Sequence, residues 1–319
     1  MKKIRIGTRG SKLALWQANY IKDMLEKENT EFSFELVIIK TSGDKILDVA
    51  LSKIGDKGLF TKELENSLIN NETDLAVHSM KDVPTNLHEK LFISCMPKRE
   101  DTNDIFISNK YDNLENLPKN AKIGTSSIRR KAQLSYFRKD LEYLDIRGNV
   151  DTRLKKLDDN EYDGIILAYA GIHRLGLDSR VTQKIPFNIS LPAVGQGAIG
   201  IEIRKNDDFI KTITNKINHL ETFFCVSIER VFMNKLEGGC QVPIACQAFF
   251  EGKNLIIKAL VSDVDGNKII TENITEKLSF DEIITKSEDE IYSIIQELGL
   301  KISDLIIKSG GLDVIRGIR

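Results

Sequence analysis

The sequence predicts an α/β protein: two doubly wound domains facing each other across a cleft, followed by a small C-terminal α+β domain. Three observations carry that prediction. A strand, an Ile-Gly-Thr tripeptide and a serine at a helix start occur twice, in Arg5-Ile6-Gly7-Thr8-Arg9-Gly10-Ser11 and in Lys122-Ile123-Gly124-Thr125-Ser126-Ser127. Asp163-Gly164-Ile165-Ile166-Leu167 echoes Asp74-Leu75-Ala76-Val77-His78, each an Asp opening an apolar run of strand length. From about residue 218 the alternation gives way to a long helix, three strand-like runs and a last helix, the pattern of a sheet covered by helices. The domains expected are 1–98 with 198–216, then 102–194, then 218–319.

In the first domain Lys3 to Thr8 reads as a short strand, and Ser11 as the N-cap of a helix carrying Leu13, Trp16, Tyr20 and Met24 at helical spacing. Trp16 is thereby assigned to the core rather than to a ligand platform. Residues 34–39 are strand-like, and 40–57 form a polar, Gly-containing loop from which Lys53 and Lys57 could close over an anion. Gly55-Asp56-Lys57-Gly58 lacks the spacing of a Walker A loop. Residues 61–69 read as a helix and 74–78 as a buried strand. In the second domain the turn Arg147-Gly148-Asn149 precedes a helix with Val150, Leu154 and Leu157 inward. Leu191-Pro192-Ala193-Val194-Gly195-Gln196-Gly197-Ala198 is a Gly-rich return crossing and candidate hinge, ahead of a strand at 199–203. In the third, a helix through Lys235 is followed by strands at 245–250, 255–262 and 268–274 and a last helix over 281–298.

Composition narrows the function. A formal net charge of -1 argues against non-specific nucleic-acid binding, so any anion site has to be local. The chain starts on a strand-like segment without an apolar leader, and no stretch of about 18 apolar residues follows, so a cytoplasmic protein without a membrane partner is expected. Four cysteines with no C-x-x-C pair and four histidines with no paired spacing predict no metal site. Cys95, Cys225 and Cys246 lie in apolar runs and are assigned to the core. Cys240 differs, because Gly238-Gly239 before it and Val242-Pro243 after it present the thiol on a tight, stiff turn.

Six of the 14 arginines fall between Ile123 and Arg174, in a chain whose basic residues are mostly lysine. The planar guanidinium fork suits carboxylate or phosphate. Arg129 and Arg130 in a helix's first turn oppose its dipole at about 0.3–1 kcal/mol each, and therefore want a compensating anion. Arg147 and Arg153 flank the next helix start, and Arg174 follows the last central strand; Arg138 reads as a solvated helix face. Arg9 and Ser11 sit at a strand-to-helix turn where backbone N–H groups favour an anion. His78-Ser79-Met80-Lys81-Asp82-Val83-Pro84 lies just past a strand's carboxyl end, the usual place for a ligand crevice, and Asp82 is the candidate acid or base. The plainer reading of Asp82 is a turn or cap ahead of Pro84. His78 reads as a structural hydrogen-bonding residue.

These residues fall in long motifs through which the chain resembles the porphobilinogen deaminases, also called hydroxymethylbilane synthases. The motifs are Ile6-Gly7-Thr8-Arg9 with Ala14-Leu15-Trp16-Gln17, the His78 to Pro84 run, Gly124-Thr125-Ser126-Ser127 with Arg129-Arg130, Arg147-Gly148-Asn149-Val150, the 191–198 crossing, and Glu237-Gly238-Gly239-Cys240-Gln241-Val242-Pro243. The resemblance covers nearly the whole length. It implies periplasmic-binding-protein-like domains around the cleft, a monomer, and porphobilinogen as the small-molecule substrate. It also implies a dipyrromethane cofactor held by a thioether at Cys240. Successive porphobilinogen molecules lose ammonia and couple head to tail onto it, and water releases hydroxymethylbilane.

By the same resemblance Asp82 is the catalytic carboxylate, stabilising a cationic pyrrole and moving protons. The binding set implied is Arg9, Ser11, Gln17, Lys53, Ser79, Lys81, Thr125, Ser126, Ser127, Arg129, Arg130, Arg147, Gly148, Arg153 and Arg174. Each pyrrole brings an acetate and a propionate, which gives the arginines a purpose: a charge-assisted hydrogen bond is worth about 1.5–3 kcal/mol. Two other classes share some of these features. A binding protein for organic anions needs no presented Cys240, and a thiol-dependent acyl transferase should place a His near it, where the sequence has none.

Overall fold

A computed structural model describes residues 2–45, 58–236 and 242–318 of the chain. Lys53, Lys57 and Cys240 lie outside the described residues. In the first sheet β1 (Lys2–Thr8) pairs in parallel with β2 (Phe32–Ile38) and β3 (Leu75–Ser79). Beyond β3 runs antiparallel β10 (Ile199–Arg204), and then β4 (Leu91–Cys95). The second sheet repeats the plan. There β6 (Lys122–Gly124) is parallel to β7 (Glu142–Leu144) and β8 (Gly164–Ala168), followed by antiparallel β5 (Asp104–Ile107) and β9 (Gln183–Lys184).

The echo in the sequence is thus an echo in hydrogen bonding. Asp74 Oδ2 accepts from the Arg5 backbone N–H at 2.8 Å, and Asp163 Oδ2 accepts from the Lys122 backbone N–H at 2.9 Å. In both sheets the Asp that opens the third strand locks it to the first. Serine caps recur as well: Ser11 Oγ accepts from Ala14 N–H at 3.3 Å and Ser127 Oγ from Arg130 N–H at 3.4 Å.

The first helix, Lys12–Glu28, buries Gln17, Ala18, Ile21 and Leu25. This stripe is turned from the one expected, and Trp16 is not core: it is 37% exposed and stacks on Tyr20 with centroids 5.2 Å apart. The reason is a polar contact. Gln17 reaches inward to Ser79, donating from Nε2 at 2.9 Å, and rotates its neighbour Trp16 outward.

Close packing in the second sheet rests on an absent side chain. A Cβ on Gly164 would stand 2.2 Å from the ring of Phe106, which is fully buried. Gly164→Ala is expected to cost about 1–3 kcal/mol through overpacking. Urea unfolding should show a lower midpoint with an unchanged slope, and an unchanged midpoint would mean that the ring yields freely.

The third domain is an antiparallel meander of β11 (Ile244–Glu251), β12 (Asn254–Ser262) and β13 (Ile269–Glu276), covered by the helices Leu220–Lys235 and Glu288–Lys308. Its core gathers Phe224, Ile228 and Phe232 against Ile257, Ile295 and Ile302. The single helix expected over 281–298 is instead Phe280–Ile283, then Glu288–Lys308 opened by a Ser287–Glu290 capping box, then Gly311–Arg316. Gly299 does not end the helix. A Cβ there would lie 2.5 Å from Val231, so the glycine lets two helices cross closely.

The third domain touches both lobes. Buried Glu229 receives Arg99 at 2.6 and 3.0 Å, the Gly195 N–H at 2.8 Å and the Ala248 N–H at 2.9 Å, fastening both inter-lobe crossings to the Leu220–Lys235 helix. The turn between β12 and β13 leans on the second-lobe helix Ile128–Phe137. At Gly266 φ is +73° and a Cβ would fall 2.1 Å from the Ala132 carbonyl oxygen, so both conformation and space require glycine. Among the described residues no helix is long and apolar enough to cross a membrane.

Candidate active site

At the carboxyl end of β3 the chain makes one 3-10 turn, Met80–Asp82. Met80 and Val83, 1% and 3% exposed, are anchored in an apolar cluster with Ile93, Met96, Ala198 and Val226. The Met80 N–H also donates to Ala198 O at 3.0 Å. Pinned on either side, Lys81 and Asp82 are left exposed.

Charges from both lobes meet there. Lys81 is open to water yet ringed by protein on its other sides. That crowding lowers its pKa, Asp82 and Asp104 raise it, and Arg130 and Arg153 lower it further; access to water limits the shift. Arg153 is pushed down to about 10, first by burial and then by the like charges of Arg130 and Arg147, with Asp82 opposing. Lys81 and Asp82 of the first lobe therefore share one field with Arg130, Arg147 and Arg153 of the second.

Arg129 and Arg130 find their compensating anion inside the protein. Arg129 Nη1 and Nη2 donate to the two oxygens of Asp104 at 2.7 and 3.2 Å, and Arg130 Nε donates to Oδ1 at 2.9 Å. Arg129 also reaches the Leu191 carbonyl at 2.6 Å, and Arg130 the Ile166 carbonyl at 3.1 Å. Burial alone would raise the Asp104 carboxyl, but the two guanidiniums outweigh it and hold it well below the usual carboxylate range. The sequence motifs do not single out Asp104. Its signal was there, since it opens the apolar run Ile105-Phe106-Ile107 as Asp74 and Asp163 open theirs.

The other expected residues are placed as follows. The Arg9 guanidinium lies over the Phe60 ring at 4.1 Å. Ser126 Oγ donates to the Ile146 carbonyl at 2.7 Å and accepts its N–H at 3.0 Å, and Thr125 Oγ1 accepts from Ser127 N–H at 3.3 Å. Together with the capping bonds of Ser11 and Ser127, these hydroxyls shape the strand-to-helix turns. Gly148, at φ +106°, turns its carbonyl to Arg153 Nε at 2.8 Å. Arg174 is buried, donates to the Gly197 carbonyl at 2.6 Å and is pushed down to about 10 by that burial. Arg138 is no solvated face: it pairs with Asp140 at 2.7 Å and clamps the Leu114 and Leu117 carbonyls at 2.8 Å each. His78 is structural, bonded through Nε2 to buried Glu202 at 3.0 Å. Across the lobes Lys12 pairs with Asp151.

Two pockets of about 410 and 240 Å³ lie elsewhere, beside Arg5 and Arg204 and beside Phe92 and Tyr292, and neither is lined by Asp82. The charged ground around Asp82 is defined by side-chain chemistry instead. Among the described residues no group of His, Cys, Asp and Glu could hold a metal ion.

Two α/β lobes that bring a carboxylate and a cluster of cations together at a sheet's carboxyl edge define a protein built to hold a polyanionic small molecule. Comparison with known families makes this specific. Residues 4–212 match the model of the porphobilinogen deaminase dipyrromethane cofactor-binding domain, and residues 223–299 that of the porphobilinogen deaminase C-terminal domain. The chain belongs to the porphobilinogen deaminase family. Porphobilinogen deaminase of Lawsonia intracellularis is 46% identical over 316 residues, covering 99% of this chain and 98% of the relative. That of Chlorobium phaeobacteroides is 44% identical over 318 residues, covering 100% and 98%. Among solved structures, a periplasmic substrate-binding protein of an ABC transporter from Coxiella burnetii aligns with a TM-score of 0.43 at 12% identity, over 67% of this chain and 91% of that one.

Proposed function

We propose that this chain condenses four porphobilinogen molecules head to tail, with loss of ammonia, onto a dipyrromethane primer joined by a thioether to Cys240, and releases hydroxymethylbilane by hydrolysis. The observation that carries this is the exposed Asp82 carboxylate set in a field of cations drawn from two lobes. Lys81, Arg130, Arg147 and Arg153 share that field with Asp82 and Asp104, and a gathering of cations there fits a guest rich in acetates and propionates. When bound, the dipyrromethane supplies the pyrrole carbon to which substrate is joined.

Each role for this chain follows from charge. Lys81, Arg147 and Arg153 bind substrate carboxylates and fix the register of the pyrrole rings; Gln17 and Ser79, which belong to the same binding set, are bonded to each other. Asp82 stands against positive charge that develops on a pyrrole as ammonia leaves and as the next ring attacks, and it passes protons to the leaving amine and from the coupled ring. Arg9, Ser11, Lys53, Thr125, Ser126, Ser127, Gly148 and Arg174 complete the binding set, several by shaping the turns. The units 1–98 with 198–216, 102–194 and 218–319 act as three domains of a cytoplasmic monomer that needs no nucleic-acid or membrane partner.

Intact-protein mass tests the reading. Purified wild type should weigh more than its polypeptide by two linked pyrroles and colour with Ehrlich's reagent, while Cys240→Ala should match the bare polypeptide and turn over no porphobilinogen. A wild type that consumes porphobilinogen at bare polypeptide mass would overturn it.

A further inference from the structure

The segment that follows Asp82 is gripped by the third domain. Residues 84–90, between the 3-10 turn and β4, have no helix or strand, and Pro84 has no N–H to donate. One face of the helix Leu220–Lys235 holds the first half of this segment. Val226 packs into the apolar cluster that holds Met80 and Val83. One turn on, Arg230 Nη1 donates to the Val83 carbonyl at 3.1 Å and Nη2 to the Pro84 carbonyl at 2.6 Å, with the Thr85 carbonyl at 3.5 Å. One further turn on, Asn234 Nδ2 donates to Asn86 Oδ1 at 3.2 Å. The spacing of four residues makes this a single stripe laid along the segment.

We propose that Arg230 is a positioning residue for Asp82, fixing where that carboxylate stands by holding the carbonyls that follow it. This rests on the catalytic reading of Asp82 given above. Among the described residues no carboxylate is hydrogen-bonded to Arg230; its acceptors are the Val83, Pro84 and Thr85 carbonyls. Burial pushes its guanidinium down to about 10, with the charge of Glu202 opposing. The 3-10 turn itself is closed by one long backbone bond, Val83 N–H to Met80 O at 3.2 Å, which leaves the exit side to Arg230. A lysine cannot replace the fork, because an ammonium meets the adjacent carbonyls as a point and not as a plane. The helix that carries Arg230 ends at Lys235.

The test is Arg230→Met, with Arg230→Lys as its conservative partner. Misplacement of a catalytic group by about 1 Å lowers rate roughly 100-fold, so kcat for porphobilinogen should fall by about that factor in Arg230→Met and less in Arg230→Lys. KM should stay within about twofold, since the carboxylate-binding cations are untouched. Amide hydrogen exchange across residues 80–87 should rise in both variants. A lower melting temperature with wild-type kcat and wild-type exchange would overturn the proposal and leave Arg230 a structural tie. Should Arg230→Met fail to fold, Arg230→Lys decides by the same two readouts. A wild type without porphobilinogen turnover would sink the catalytic reading alone, while exchange at 80–87 would still judge the grip.

Discussion

Asp82→Asn is expected to lower turnover of porphobilinogen by about 100- to 1000-fold, the usual effect of removing one preorganised electrostatic partner from a transition state. The replacement has the same shape. Asp82 is exposed, and its turn is held by Met80 and Val83, so stability should change by no more than about 0.5 kcal/mol. What disappears is the negative charge facing a cationic pyrrole and the group that moves protons. Lys81, Arg147 and Arg153 remain, so bound cofactor and substrate affinity should persist while kcat collapses. Steady-state kinetics with intact-mass measurement checks this, and near-wild-type kcat would remove Asp82 from the mechanism.

Asp104→Ala should produce the largest loss of stability. The side chain is fully buried and is shared by two guanidiniums, Ser190 Oγ at 2.8 Å and Gln196 Nε2 at 3.0 Å. Removing it leaves Arg129 and Arg130 buried beside one another without an anion, at a cost of about 3–5 kcal/mol. The milder Asp104→Asn reveals the pH dependence. The folded carboxyl lies below its unfolded value of 3.8, so its contribution is complete above that value and is lost as pH falls through it toward the folded value. Urea midpoints followed from about pH 6 down to about pH 3 should therefore drop more steeply in wild type than in Asp104→Asn. Parallel curves would show that the cluster adds no pH-dependent stability.

Much of this was legible because it is local. The Asp82 motif follows a strand, and the paired Ile-Gly-Thr runs and their serine caps repeat at fixed offsets, so pattern alone places them. The two Asp residues that open β3 and β8 even foretell their shared bond to the neighbouring strand. What could not be read depends on partners distant in sequence. Trp16 is turned outward by Gln17 reaching Ser79, 62 positions away. Arg138 looks like a solvent-facing cation until the Leu114 and Leu117 carbonyls arrive beneath it. Gly299 resembles a helix stop because a helix in isolation gives no hint of Val231 on the crossing helix. Arg129 and Arg130 do want an anion, as their dipole argument requires; tertiary structure supplies Asp104 first.

The grip of the third domain on both lobes bears on how a lengthening product is accommodated. One beam is riveted to the floor near Asp82 through Arg230 and to the opposite wall through Gly266 against Ala132. Any change in the angle between the lobes therefore has to stretch or slide one of these two contacts.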